Sequence, residues 1–317
     1  MQAMTETLQE SEPVRPGESV ERIARAVRLR VLEHTLGNNG GYLSQACSAA
    51  EILATLYLRV MRLGPSQGPL VPRRFAGVPA AANPRAFTGA DYNGPKAADL
   101  DRFIFSPVHY ALVLYSVLIE VGRLGPGALA AFNQDGSTVE LIGAEHSPGH
   151  EVTAGSLAQA LSQAGGIALA RRLRGESGRV WVFLSDGELQ EGQTWEAFAA
   201  LAHHRLGNIG IYIDANAQQC DGPMDSVMTI EPLAERLRAF RAEVHEVDGH
   251  DPDALAAPAE GRTERDRPLV VLARTDPCRG LERLRERAPK LHYVRFKGPD
   301  EHAAYRALLQ AMRQEAE

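Results

Sequence analysis

The chain has 317 residues, a formal charge of −6 and a hydrophobic fraction of 44%, enough for a sizeable core in one large α/β domain or two small ones. Its Lys and Arg residues are interspersed with Asp and Glu, which excludes a nucleic-acid surface held by phosphate contacts. Cys47, Cys220 and Cys278 lie far apart without CxxC spacing, so neither a disulfide framework nor a zinc site is expected, only small buried thiols in a reducing compartment.

Residues 1–17 are polar and acidic, lack the apolar core of a signal peptide, and read as a flexible arm. Ser19 can cap a helix in which Val20, Ile23, Ala24, Val27 and Val31 recur at helical spacing, ending near Leu36 where the GNNGG run favours a tight loop. A second apolar stripe, through Ile52, Leu53, Leu56, Tyr57 and Val60, predicts a helix over 46–61. Residues 63–98 are rich in Pro, Gly and Ala without a sustained period, and read as an irregular insertion. A short strand over 102–106 leads to His109 at the start of an apolar helix over 108–121. The apolar run within that helix is too short to span a membrane, so a cytoplasmic protein is expected.

Residues 134–150 read as loop, and Gly155, Ser156 and Leu157 open a helix to about 173, whose first N–H groups are free to meet an anion. Gly165 and Gly166 fall inside that helix. They predict close packing rather than a Rossmann phosphate loop, which needs its glycines at the strand-to-helix turn. Further strands are expected before Asp186 and before Asn216, with a helix between them, and at 244–247 and 268–273, with a helix near 252–257 and a terminal helix over 302–312. Apolar strands alternating with helices predict an α/β fold, an open and mostly parallel sheet with helices on both faces. His34, His203 and His204 lack ligand spacing and read as packing or surface residues, as Trp181 and Trp195 read as core.

The stretch from 179 to 222 carries the chemistry. Asp186 follows a strand and precedes Gly187, and Asn216 follows the next strand, so two oxygen donors lie at the carboxyl edge of the sheet. They suit a hard cation, Mg²⁺ or Ca²⁺, that leaves room for phosphate oxygens. His109 sits at another strand-to-helix junction of the same kind.

SDGELQEGQTWEA followed by HHRLGNIGIYIDANAQQCDG closely resembles the thiamine diphosphate motif of transketolases, which begins GDG and continues GELQEGxxWEA…DxNxxQxDG. The resemblance runs from about residue 20 to 274. It includes DRFI with Ser106 and His109, AGSLA at 154–158 against the family's TGSLG, IEPLA at 230–234 and EVDGHD at 246–251. It implies the thiamine diphosphate-binding fold, diphosphate-type domain, over 18–275, with 276–317 as a C-terminal extension. It also implies that Asp186, Asn216 and the main-chain carbonyl of Gln218 hold Mg²⁺ or Ca²⁺. Cofactor contacts would fall to His109, Gly155, Ser156, Leu157, Asp186, Gly187, Glu188 and Asn216. His109, Glu191 and Glu196 would be the catalytic set, the two glutamates as interface carboxylates linking paired sites through shared protons.

Activation in this family uses a glutamate on a separate pyrimidine-binding domain, for which this chain has no counterpart. It resembles the N-terminal subunit of a split transketolase, implying a separately encoded C-terminal subunit, two copies of each in a heterotetramer, and a sugar phosphate substrate. The substrate-facing histidines depart from the pattern: GHPGG becomes Gly37-Asn38-Asn39-Gly40-Gly41, and SKGH becomes Ser106-Pro107-Val108-His109 without its Lys. His146 and His150 are candidates for the place of a second His and His292 for that of a third, and the sequence leaves open whether any of them fills it. The leading expectation is therefore two-carbon ketol transfer by one subunit of a two-component transferase. Its alternatives are transfer of that unit to a lipoyl or carrier-protein thiol, and a regulatory subunit that kept the fold.

Overall fold

The computed structural model describes residues 19–83 and 86–315; the arm expected at 1–17 lies outside the described residues. Five parallel strands, β1 (Arg102–Phe105), β2 (Val180–Ser185), β3 (Ile209–Ala215), β4 (Glu243–Asp248) and β5 (Leu269–Arg274), form one sheet in the order β1-β2-β3-β5-β4. Because side chains alternate along a strand, each strand feeds two cores. Trp181, Phe183, Tyr212 and Val271 point to one face, and Val182, Leu184, Ile211, Ile213 and Leu272 to the other. Gly210 makes room for this arrangement, since a Cβ there would lie 2.2 Å from the Trp181 ring.

The first face is covered by α1 (Val20–Gly37), α2 (Leu43–Thr55) and α3 (Ala111–Glu120). The second is covered by α4 (Gln159–Leu173), α5 (Gly192–His203) and α6 (Leu233–Ala239). The chain then returns to the first face with α7 (Pro252–Glu260) and α8 (Pro299–Gln314). Ser19 caps α1 by accepting from the Arg22 N–H at 3.1 Å, worth about 1 kcal/mol. Ile23, Ala24, Val27, Val31 and Leu32 are wholly buried along one stripe, the large members each contributing about 1.5–3 kcal/mol of burial.

The expected helix at 46–61 starts earlier, at Leu43, and ends in a π-helical turn, Leu56–Val60. Every residue of α2 is buried, Ser44 and Gln45 included, so there is no apolar stripe from which to read its start. Among its described residues the insertion stays irregular apart from an isolated bridge between Ala80 and Asn83 and a short 3-10 turn, Gly89–Asn93, that buries Tyr92. The C-terminal extension is packed onto the domain: Leu281, Leu284, Leu291, Val294 and Phe296 are buried, and Val294 pairs with Gly41 across the loop after α1. Cys47 and Cys278 are buried as expected, whereas Cys220 is exposed on the turn of a two-residue-per-strand hairpin after β3. Among the described residues no helix is long and apolar enough to cross a membrane.

Candidate cofactor site at the carboxyl edge of the sheet

Parallel strands place all their carboxyl ends on one edge, and the sequence puts its polar residues there. β2 is apolar until Ser185, and the next residue, Asp186, begins a 3-10 turn, Asp186–Gln190. The Asp186 side chain is 2% exposed and accepts the Ala217 N–H at 2.7 Å, which ties the turn after β2 to the turn after β3. Burial pushes its carboxyl up to about 8, helped by the charge of Asp214 and opposed by the N–H groups of Ala217 and Gly187. Asn216 follows β3, and its Oδ1 accepts the Gln218 N–H at 2.9 Å. Its Nδ2 turns inward, to the Tyr110 hydroxyl at 2.9 Å and Asp214 Oδ2 at 3.1 Å.

The expected triad of Asp186, Asn216 and Gln218 thus falls on two neighbouring turns. Among the described residues no three His, Cys, Asp or Glu side chains converge as a metal cluster. One carboxylate, one amide oxygen and one main-chain carbonyl would instead offer a cation the all-oxygen donors that Mg²⁺ and Ca²⁺ prefer. The electrostatics fit a cation as well: Asp186 and Asp214 are buried carboxyls raised first by burial, and the cation acting on Asp186 is Arg274, whose effect is the smallest of those on that group. A divalent ion would offset what burial costs these charges.

Glu188 does something other than the expected cofactor contact. It is wholly buried and accepts from Ser106 Oγ, from the Ala158 N–H at 3.1 Å and from the Ser185 N–H at 2.9 Å. One carboxylate therefore joins the end of β1, the end of β2 and the start of α4. The bond to Ala158 ties the turn of Gly155, Ser156 and Leu157 to the 3-10 turn that begins at Asp186. Ala158 adopts φ 68°, ψ −11°, a left-handed conformation that favours glycine. Gly155 and Ser156 are exposed and Leu157 half-buried, so this turn presents its backbone outward.

His109 lies on the 3-10 turn Val108–Tyr110 after β1. Burial, with a lesser push from His292, lowers its pKa to about 3, so the ring is neutral near pH 7. Its ring centroid is 5.1 Å from that of His292, 5.6 Å from Tyr42 and 4.8 Å from Tyr110. His292, carried by the packed segment after β5, is held by Gln45 Nε2, which donates to its carbonyl at 3.2 Å. The expectation for His146 and His150 is not met. His150 is wholly buried against Phe105 and Tyr115, and His146 faces Glu140 Oε2 at 2.9 Å beside Phe75. Asn38 also turns away, its Nδ2 donating to the His34 carbonyl at 2.9 Å to close the end of α1. Glu191 and Glu196 are exposed at the start of α5.

Sequence reasoning missed Ser48, Tyr110, Asp214 and Thr275, which gather behind Asn216. One sign of them was readable: a lone carboxylate, Asp214, in the otherwise apolar β3. Tyr42 was missed as well, and nothing in its neighbours marks it.

Residues 80–281 match the family model described as transketolase, thiamine diphosphate binding domain. A transketolase family protein of Sinorhizobium fredii is 31% identical over 288 residues, covering 90% of this chain and 93% of that protein. One of the subunits of an apulose-4-phosphate transketolase, from Actinobacillus succinogenes, is 28% identical over 293 residues, covering 92% of this chain and 96% of that one. Among solved structures, transketolase of Pichia stipitis in complex with sedoheptulose-7-phosphate superposes with a TM-score of 0.70 at 23% identity over 94% of this chain. The chain spans 45% of that structure's chain, and the likeness there is one of fold.

Proposed function

The chain belongs to the family of transketolase thiamine diphosphate-binding domains, and we propose that it is the diphosphate-anchoring subunit of a two-component transferase. That enzyme moves a two-carbon ketol unit from a ketose phosphate donor to an acceptor. The observation that carries the reading is the meeting of Asp186, Asn216 and Gln218 on adjacent turns beside the exposed backbone of Gly155, Ser156 and Leu157. The Actinobacillus succinogenes relative, matched over 96% of its length, is itself named as one subunit of a transketolase.

In this reading Asp186, Asn216 and the Gln218 carbonyl hold Mg²⁺ or Ca²⁺, and the ion and the Gly187 N–H bind the diphosphate. The cofactor supplies, when bound, a nucleophilic carbon for breaking and remaking a carbon–carbon bond beside a carbonyl. The protein's part is position and charge. Neutral His109 offers a ring nitrogen to the diphosphate without adding positive charge. Gly155 and Leu157 would face the cofactor rings, and the Tyr42, His109 and His292 rings would exclude water on one side. Glu188 stands behind this surface, fixing the turn rather than touching the cofactor. Glu191 and Glu196 are free to meet a second copy of the chain, in an assembly of two copies of each subunit.

The activating glutamate comes from a separate C-terminal subunit carrying the pyrimidine-binding domain. Asn38, turned back onto α1, favours an acceptor other than an ordinary pentose phosphate, such as an aldehyde of another kind or a carrier-bound thiol. The test is to mix the chain with the protein encoded beside it, thiamine diphosphate, Mg²⁺ and xylulose 5-phosphate, and to identify the products formed with each acceptor class. Ketol transfer that requires both chains is expected. Weak or absent thiamine diphosphate binding even with the partner supplied would favour a regulatory subunit instead.

A further inference from the structure

Behind the proposed cation position lies a closed set of hydrogen bonds that no residue of the anchor itself requires. Asp214 is wholly buried at the end of β3. Its Oδ2 accepts from Ser48 Oγ of α2 at 2.6 Å and from the Tyr110 hydroxyl at 2.8 Å, and its Oδ1 accepts from Thr275 Oγ1. Asn216 Nδ2 points into the same knot, at 2.9 Å from the Tyr110 hydroxyl, 3.1 Å from Asp214 Oδ2 and 3.3 Å from Ser48 Oγ. Three elements, α2, the turn after β1 and β3, therefore converge on one amide group, and the loop after β5 joins them through Asp214.

Donor and acceptor bookkeeping makes the arrangement directional. Ser48, Tyr110 and Thr275 each spend their one hydroxyl proton on Asp214, leaving oxygen lone pairs of Ser48 and Tyr110 toward Asn216. Only an NH₂ group can face this surface of lone pairs and negative charge. A reversed amide would set its carbonyl oxygen against the carboxylate of Asp214 and its NH₂ against the Gln218 N–H, two mismatches in a buried place. Asn216 is thus locked with its oxygen outward, on the side of Asp186 and Gln218.

Resting on the anchor reading above, we infer that Ser48, Tyr110 and Asp214 are positioning residues that set Asn216 Oδ1 toward the cation, so that the affinity of this chain for the divalent ion depends on the Tyr110 hydroxyl. Groups that orient a metal-binding side chain characteristically change metal affinity by roughly 10–100-fold when removed. Binding of the ion, rather than turnover, is the quantity these residues set.

The experiment is calorimetric titration of the chain with Mg²⁺ at saturating thiamine diphosphate in the presence of the second subunit, for the wild type, Tyr110→Phe and Ser48→Ala, with thermal melting in parallel. Tyr57→Phe serves as the control, because Tyr57 is also buried and hydrogen-bonded, to Asn93 Oδ1 at 2.9 Å, but lies outside the knot. The expected result is a Kd for Mg²⁺ raised roughly tenfold by Tyr110→Phe and several-fold by Ser48→Ala, and unchanged by Tyr57→Phe whatever its melting temperature. Should Tyr110→Phe fail to fold, Ser48→Ala carries the test. Wild-type binding with Mg²⁺ affinity unmoved in the folded knot variants overturns the inference and leaves the anchor reading standing. Absence of any Mg²⁺-dependent cofactor binding by the wild type overturns the anchor reading, and this inference with it.

Discussion

Replacing Glu188 by Gln tests the unexpected role of that residue. In the folded chain both carboxylate oxygens only accept. Oε1 takes Ser106 Oγ and the Ala158 N–H at 3.1 Å, and Oε2 takes the Ser185 N–H at 2.9 Å and its hydroxyl at 3.4 Å. A carboxamide of the same shape has one oxygen and one NH₂. Whichever way it turns, the NH₂ meets a main-chain N–H, that of Ala158 or that of Ser185. A hydroxyl can rotate to accept, but a main-chain N–H cannot, and a buried donor left without an acceptor costs about 1–3 kcal/mol. Against this stands a gain: burial raises the Glu188 carboxyl despite its hydrogen bonds, and Gln carries no such penalty. The balance is a loss of about 2 kcal/mol, or roughly 3 °C in melting temperature for a chain of this size. Ser106→Ala, which removes one rotatable donor and strands no N–H, should cost about 1 kcal/mol. Thermal and urea unfolding followed by circular dichroism at pH 7 measures both. A Glu188→Gln melting point within about 1 °C of wild type, or one lowered less than in Ser106→Ala, would refute the reasoning.

Ala158→Gly should stabilise the chain by about 0.5–1 kcal/mol, because relief of the left-handed φ of 68° exceeds the entropy that glycine adds to the unfolded state; a lower melting temperature would show the turn is unstrained. Glu51 supplies a pH dependence. Burial alone would raise its carboxyl, but the hydrogen bond from His250 and the charge and hydrogen bond of Arg28 outweigh it and hold the pKa below 4.5. A depressed carboxyl stabilises fully above its unfolded value and loses that stability as pH falls through the folded one. Unfolding free energy should therefore drop below about pH 4.5, and Glu51→Gln should fall less steeply over the same range. Equal slopes in urea titrations at pH 5.5 and 3.5 would remove Glu51 from the account.

Much of the architecture was legible because its physics is local. Alternating apolar strands and helical stripes located the sheet, and the polar residues ending β2 and β3 marked its working edge. What was not legible depended on contacts distant in sequence. The start of α2 was hidden because a helix buried all round has no stripe. The packing of 281–296 across the loop after α1 depends on Leu281, Leu284 and Val294 finding partners far back in the chain. At the site, Asp186, Asn216 and Gln218 lie on turns that the Asp186–Ala217 hydrogen bond ties together, and His292 does reach His109. Glu188 was misread because a carboxylate inside a cofactor motif invites a cofactor role, whereas its partners are main-chain groups at 158 and 185. His150 was misread for the converse reason: nothing in a Gly-rich loop reveals that its histidine is turned into the core between Phe105 and Tyr115.

The central claim is that this chain alone supplies the oxygen donors for a divalent ion that anchors a diphosphate. Its most direct measurement is calorimetric binding of thiamine diphosphate with and without Mg²⁺, for the wild type and Asp186→Ala, in the presence of the second subunit. Binding by the wild type should require the metal, and a folded Asp186→Ala chain should lose it. Metal-independent binding, or binding that survives the removal of Asp186, would contradict the claim.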